Sequence, residues 1–336
     1  MGQAPPGASY NDSGKGVGLI AGAGDFKDGV VSPAKFTSAP RHLTEPGDIV
    51  LSIRASIGAK VWADGAYCLG RGVAGLRAGS DIAAGYLWHA VSHLEPTLRA
   101  KGRGATFLQV NRRDIEELVL PLPEMGEQKR IAAILDRADA QRSRRRVQLE
   151  MLNTLASSAW LDAGSRSGGS IWALGDLARW RSGNFLASAE RNGGSVPVYG
   201  ANGVIGYTDK AMVTAPAIIV GRVGACGAVR VTNGPSWITD NVLIASFDES
   251  VISRMALTAA LRQADLGQYA VRSSQPSISG KRIAHVPILV PSLEAQREFT
   301  AVVEKIDVQR ARVERALALE DELYAALQHR AFRGEL

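Results

Sequence analysis

"PLPEMGEQKRIAAILD" (121–136) joins two kinds of chain. Pro121 and Pro123 hold the backbone extended, and a residue ahead of proline is biased away from the α region, so a helix cannot easily begin before Glu124. A second stretch, "VPSLEAQREFTAVVEKID" (290–307), has the same layout. Pro123 and Pro291 are 168 positions apart, as are Gln128 and Gln296 and, further upstream, Ile115 and Ile283. "DIVLSIRASIGAKV" (48–61) resembles "AIIVGRVGACGAV" (217–229), with one residue inserted in the second copy. Since 168 is half of 336, the chain reads as a tandem duplication of one unit.

Each copy has a Gly-rich, strand-like part with short β-branched runs such as "AIIVGRV" and "NVLIASF", followed by one helix of about 36 residues. The helices are expected over 124–160 and from 293 to about 330, each roughly 54 Å long at 1.5 Å per residue. Ile131, Ala138, Leu152 and Ala159 share one heptad position, and Leu135, Leu149 and Ala156 another. Adding 168 gives Phe299, Ile306, Glu320 and Leu327, then Val303, Leu317 and Tyr324, so the apolar stripe recurs with Glu320 as its exception. Matched seven-residue stripes suggest that the helices pack on each other. A pseudo-two-fold relation between the copies makes them antiparallel.

The expected fold is therefore α+β: two tandem globular domains separated by a long antiparallel two-helix coiled coil. The expected boundaries are 1–123, 124–162 (first helix), 163–291, and 292–336 (second helix and tail), with 161–170 as the linker. In mid-helix, "QRSRRR" (141–146) matches "QRARVER" (309–315), placing Arg142 and Arg310 at equivalent stripe positions. That basic belt reads either as a solvated face or as a surface for phosphate or an acidic partner.

Composition narrows the function. Net charge is +6, a modest basic bias that permits a nucleic-acid partner without demanding one. Two cysteines, Cys68 and Cys226, suit a reducing, cytoplasmic setting, and with five scattered histidines they offer no metal-ligand spacing. No apolar run approaches the about 20 residues that span a bilayer, and "MGQAPPGASYN" has no apolar signal core. "GLIAGAGDF" (18–26) resembles a nucleotide or S-adenosylmethionine loop, but Gly29 and Pro33 block the helix such a loop should feed, so a turn between strands is expected. A phosphate loop, a [DN]-P-P-[YF] tetrapeptide, a G-x-S-x-G elbow and an H-E-x-x-H pair are all absent from the sequence. A binding protein is favoured over a self-contained methyltransferase or nuclease; a purely architectural scaffold is the third class.

The two junctions, together with "PVYGANGVIGYTDK" (197–210), "SSQPSISGKRI" (273–283) and the terminal "LQHRAFRGEL" (327–336), resemble the specificity subunits of type I restriction-modification systems. The resemblance touches nearly the whole chain. It implies two target-recognition domains, each reading half of a split double-stranded DNA sequence, held apart by an antiparallel helix pair. It implies no catalytic residue and no cofactor in this chain. The partners implied are two modification subunits, which bind S-adenosylmethionine and methylate adenine at N6, and, in systems that also cut, restriction subunits. A 54 Å rod spans roughly 16 base pairs at 3.4 Å each, compatible with half-sites one to two turns apart. One departure stands out: Met1-Gly2-Gln3 aligns near Ser182-Gly183-Asn184, so the first copy lacks a counterpart of 172–180, and its domain is expected to miss an edge element.

Within that resemblance, the basic loops ahead of each junction are the first DNA-contact candidates. They offer Arg103, Thr106, Gln109, Arg112 and Arg113 in one copy and Arg272, Ser274, Gln275 and Lys281 in the other. Arginine and lysine serve phosphate, while Thr, Ser and Gln can bond base edges or simply cap local backbone. Tyr199 and Asn202 in "PVYGANGVIG" either approach DNA or form a hairpin with Tyr199 packed inside. Arg54 and Arg222 sit near equivalent places after a buried-looking strand and either reach DNA or make an internal salt bridge. Recruitment of the modification subunits is expected at the heads of the helices, on Gln128, Ile131 and Leu135 and on Gln296, Phe299 and Val303.

Overall fold

Runs of Ile, Val and Leu bounded by glycine or turn residues form strands, the most apolar of them buried along their whole length, as "IVLS" and "IIVG" are. The computed structural model describes residues 1–104, 108–271 and 275–336. The chain divides into two units, one of residues 1–146 with 315–336 and one of residues 147–314.

The first unit contains β1 (Tyr10–Asn11), β2 (Val17–Ile20), β3 (Phe26–Lys27), β4 (Val30–Val31), β5 (Lys35–Thr37), β6 (Ile49–Ser52), β7 (Lys60–Trp62), β8 (Cys68–Leu69) and β9 (Val73–Leu76). They form sheets ordered β1-β5-β2-β8 and β7-β6-β9, with β3 and β4 as a separate hairpin. The "GLIAGAGDF" stretch is β2 and a tight turn. Asp25 stabilises that turn by accepting the backbone N–H of Ala21 at 2.7 Å. Helix α1 (Ala84–Ala100) follows the strands, then α2 (Arg112–Glu116) and α3 (Met125–Arg166). Tyr86 of α1 is fully buried, packs with Ile131, Leu135 and Phe332, and donates its hydroxyl to the Pro121 carbonyl at 2.8 Å. The proline junction is thus stitched to the domain it leaves.

The second unit contains β10 (Ser170–Ala173), α4 (Leu174–Leu177), β11 (Ala178–Ser182), β12 (Val196–Gly200), β13 (Gly203–Thr208), β14 (Ile218–Gly221), β15 (Val229–Val231), β16 (Trp237–Ile238) and β17 (Val242–Phe247). Helices α5 (Arg254–Gln263) and α6 (Gly280–Ile283), strand β18 (Pro287–Val290) and helix α7 (Leu293–Ala331) complete the chain. Its main sheet runs β11-β17-β14-β15, a second runs β13-β12-β16, and β10 pairs with β18.

Hydrogen-bond register makes the duplication concrete. Leu19 and Ile20 pair in parallel with Cys68 and Leu69, as Val198 and Tyr199 pair with Trp237 and Ile238. "LIAG" is therefore the counterpart of "VYGA", a match that residue identity hides. Gly70 N–H donates to Ile20 O as Thr239 N–H does to Tyr199 O, at 2.8 and 3.0 Å. Ile53 N–H donates to Gly72 O as Arg222 N–H does to Asn241 O, both at 2.9 Å. Arg222 is thus the equivalent of Ile53, and Arg54 matches Val223: the two arginines sit one residue apart on the repeated frame, near equivalent places.

The edge element expected to be missing shows in the same register. Gly2 and Gln3 donate to Val73 and Leu69 as Gly183 and Asn184 donate to Val242 and Ile238. Where β17 pairs with β11, its counterpart β9 is an edge strand. Residues 119–122, which match β18, form no strand, and Val119 is 86% exposed. Among the described residues the first unit has no counterpart of β10, α4 or β11.

The first long helix runs six residues past its expected end, through much of the expected linker. Trp160 and Ala163 explain this: both are buried in the second unit's core, and Trp160 meets Phe299 edge-on at 5.2 Å. In the first unit, Arg142 of α3 meets Asp321 and Arg130 reaches the Leu336 carbonyl, so the two helical stretches there run antiparallel.

Candidate nucleic-acid interface

Two loops meet at the end of β6. Gln109 bridges both Arg54 and Arg103 in antiparallel fashion, as Ser277 bridges Val223 and Val271 in the other unit. Three of the expected contacts, Arg54, Arg103 and Gln109, are thereby brought together and exposed. Arg103 also reaches the buried carboxylate of Asp114 at 3.1 Å, which anchors the loop to α2. Asn111 caps α2 by accepting the Asp114 N–H at 3.0 Å, and Asp114 accepts the Asn111 N–H in return. Arg112 and Arg113 project from that helix into solvent, each paired one turn on, with Glu116 and Glu117. Exposed pairs of this kind are worth little and can open for phosphate. Thr106, Arg272 and Ser274 lie outside the described residues. Gln275 and Lys281 are exposed, Lys281 on α6 behind the Ser279 cap.

Other expectations are corrected. Tyr199 is 6% exposed and packs with Ile219, Ile238, Val242 and Ile244. Its ring belongs to the core, and only Asn202 at the hairpin tip faces solvent. Arg222 is half-buried and turned inward, donating to the Asp240 backbone carbonyl at 3.2 Å rather than to a carboxylate. The six expected recruitment residues are all buried.

Gln128 and Gln296 show why the P-x-x-x-x-Q spacing recurs. The Gln128 amide oxygen accepts the N–H of Ala83, the residue capping α1, at 2.8 Å. Its nitrogen donates to Asp81 and Pro123 carbonyls at 2.9 Å each. Gln296 makes the same three bonds, to Ser253 N–H and to Val251 and Pro291 carbonyls, at 2.8, 3.1 and 3.0 Å. Each is an internal clamp between junction and domain helix, so neither is free for a partner. The basic belt is likewise engaged: Arg142 and Arg146 contact Asp321, and Arg145 contacts Glu320, which accounts for the acid in the apolar stripe. Arg310 pairs with Asp307.

What the heptads did not reveal is an exposed stripe beside the seam. On α3, Val147, Met151 and Leu155 are 48, 64 and 52% exposed. On α7, Leu319 and Leu323, which match Met151 and Leu155 at the 168-residue offset, are 66 and 52% exposed. A buried polar cluster on the first unit was also missed. His89 contacts Asp136 at 2.7 Å and the Tyr324 hydroxyl at 3.1 Å, with burial pushing the imidazole below its usual range against the pull of that carboxylate. Lys60, over the Trp88 ring and bonded to Ser92, is pushed by burial to about 8. No sequence spacing signals either group. Among the described residues, no group of three or more His, Cys, Asp or Glu could hold a metal ion, and no helix is long and apolar enough to cross a membrane.

One frame built twice, with different side chains at matching positions, is the arrangement of a two-domain recognition protein. The chain belongs to the type I restriction modification DNA specificity domain family, which matches residues 12–151 and again 170–318. It is 34% identical over 140 residues to a putative type I restriction enzyme MjaX specificity subunit of Methanocaldococcus jannaschii, covering 41% of this chain and 33% of that one. It is 29% identical over 140 residues to the EcoprrI specificity subunit of Escherichia coli, covering 40% and 35%. The matches thus span about a third of each curated relative's length. In fold it is similar to the type I restriction-modification S subunit from M. genitalium, with a TM-score of 0.59 and 19% identity over 98% of this chain and 92% of that one. A structure described as bearing on assembly and conformational transition of the type I system gives 0.50 and 18%, over 99% and 100%.

Proposed function

We propose that this chain is the non-catalytic specificity subunit of a type I restriction-modification methyltransferase, each domain reading one half of a bipartite DNA target. The carrying observation is the pair of family matches on one repeated hydrogen-bonded frame, with basic, exposed loops at the end of β6 in the first copy. α3 and α7 serve as the antiparallel two-helix spacer, which the helix contacts of the first unit support. They also recruit two modification subunits. The repeated stripes at Val147, Met151 and Leu155 and at Leu319 and Leu323 are suited to this, since large apolar side chains at helical spacing, unpaired within either unit, offer a partner helix the same seat twice. S-adenosylmethionine binds on those partners, which methylate adenine at N6; this chain supplies position and sequence choice.

Methylated-base sequencing of the host genome with and without the gene tests this. Loss of methylation at one bipartite adenine motif on deletion is the expected result. An unchanged set of methylated motifs, with the modification genes expressed, refutes it.

A further inference from the structure

In the first unit, the turn after β2, the loop at 54–56 and the loop at 70–72 enclose a cleft of about 620 Å³. Its rim carries Lys35, Arg54 and Arg71, all exposed, and no described carboxylate forms a salt bridge with any of them. The one acid lining it, Asp25, is turned onto backbone N–H groups of Ala21, Gly22 and Ala34. The floor is glycine-rich for a steric reason. A Cβ on Gly72 would lie 2.0 Å from Ala21 O, and one on Gly70 would lie 2.9 Å from Ile20 O. The cationic groups therefore stand on a fixed frame, tied by Ile53 N–H to Gly72 O and Ala55 N–H to Leu108 O.

The second unit builds this frame again with other side chains. From the matching strand registers and loop bonds, Lys35 corresponds to Gly206, Arg54 to Val223 and Arg71 to Asp240. Three cations in one copy face none in the other. A general phosphate grip, needed equally by both domains, would keep its charge in both copies. A site that differs where the backbone coincides is suited to telling bases apart. The planar fork of arginine matches the O6 and N7 acceptors of guanine in the major groove, whereas an aspartate accepts from the amino group of cytosine.

We propose that this cleft is the base-reading site of the first domain, with Arg54 and Arg71 reading guanine in its half-site. This rests on the reading of the chain as a bipartite DNA-specificity subunit. It places sequence choice in the cleft rather than in the loop arginines, Arg112 and Arg113, already paired on α2.

The test uses the complex of full chain and modification subunits, selecting from a duplex library randomised at both half-sites. Arg54→Lys with Arg71→Lys keeps the charge but loses the rigid planar fork, leaving a flexible point charge. The expected result is a roughly 10-fold loss of guanine preference per position in one half-site, with the other half-site and the salt dependence unchanged. Both half-sites unchanged, or both relaxed together, overturns the proposal. Arg71→Asp is the second variant: lost guanine preference at one position of that same half-site supports it, and retained guanine overturns it. If the unaltered complex enriches no bipartite motif, the specificity-subunit reading itself fails. Since both arginines are exposed, an unchanged melting temperature is expected for every variant.

Discussion

Replacing Gln128 or Gln296 by alanine should be among the most damaging single changes outside the apolar core. Each side chain is at most 2% exposed and satisfies one backbone N–H and two backbone carbonyls. An unsatisfied buried polar group costs about 1–3 kcal/mol, less where water can enter the space vacated. Three such groups, two of them carbonyls that tolerate under-satisfaction better, give a loss of about 3 kcal/mol. For units of this size that is a fall of about 6–12 °C in melting temperature. Urea unfolding gives the global loss, and hydrogen exchange over 81–90 and 251–260 localises it to the unit whose clamp was cut. The two variants should behave alike, because the same three bonds are broken. Glutamate keeps the acceptor but points an anion at two carbonyls, so its carboxyl pKa should rise. Stability of Gln128→Glu relative to the unaltered chain should then fall as pH rises from 5 to 8. A loss below about 1 kcal/mol for either alanine variant, or a pH-independent glutamate variant, would refute the clamp.

Three further outcomes follow from other parts of the molecule. Met151→Asp should remove one modification subunit from the assembly, and with Leu319→Asp added both should be lost, as native mass spectrometry would show; neither should lower the melting temperature, because both side chains are mostly exposed. Lys60 has a depressed pKa, about 8 against an ordinary 10.5, so the unfolded chain binds the extra proton between those values and stability should rise as pH climbs through that window. The gain is at most about 3 kcal/mol, and Lys60→Met should abolish the rise, which paired alkaline urea titrations would detect. Joining ahead of Met1 a copy of residues 169–181, the segment that precedes the equivalent of Met1, should give β9 an antiparallel neighbour, slowing hydrogen exchange over 74–78 and raising the melting temperature; unchanged exchange there would show that the edge does not accept a strand.

The junctions were legible because proline and glutamine are rare enough to register at a fixed offset, and because a helix start after proline has one physical meaning. The reason for the glutamine was not legible, since its three partners come from residues more than forty positions upstream and from the junction itself. The choice of six buried residues as recruitment candidates has a similar origin. A buried seam and an exposed docking stripe carry the same helical period, so periodicity located Ile131, Leu135, Phe299 and Val303 without showing that each already has a cover. Tyr199 was ambiguous for the opposite reason: its structural counterpart is Ile20, an aliphatic residue whose presence at that point of the frame marks the position as core, but only the strand register connects the two.

The same register separates what the duplication keeps from what it lets vary. Kept are the clamps, the parallel strand pair, and the bridges that Gln109 and Ser277 make to two loops each. These fix backbone, and a change in any of them would damage a domain whatever sequence it reads. Free to vary are side chains on that fixed backbone, where the exposed Lys35, Arg54 and Arg71 are matched by half-buried Gly206, Val223 and Asp240. If both domains read the same half-site, the two sets should agree; they differ in charge at every one of the three positions. A bipartite target for this chain should accordingly be asymmetric, its two halves distinct in sequence. A palindromic pair of half-sites recovered by methylated-base sequencing would contradict both the cleft assignment and the argument from the paired frames.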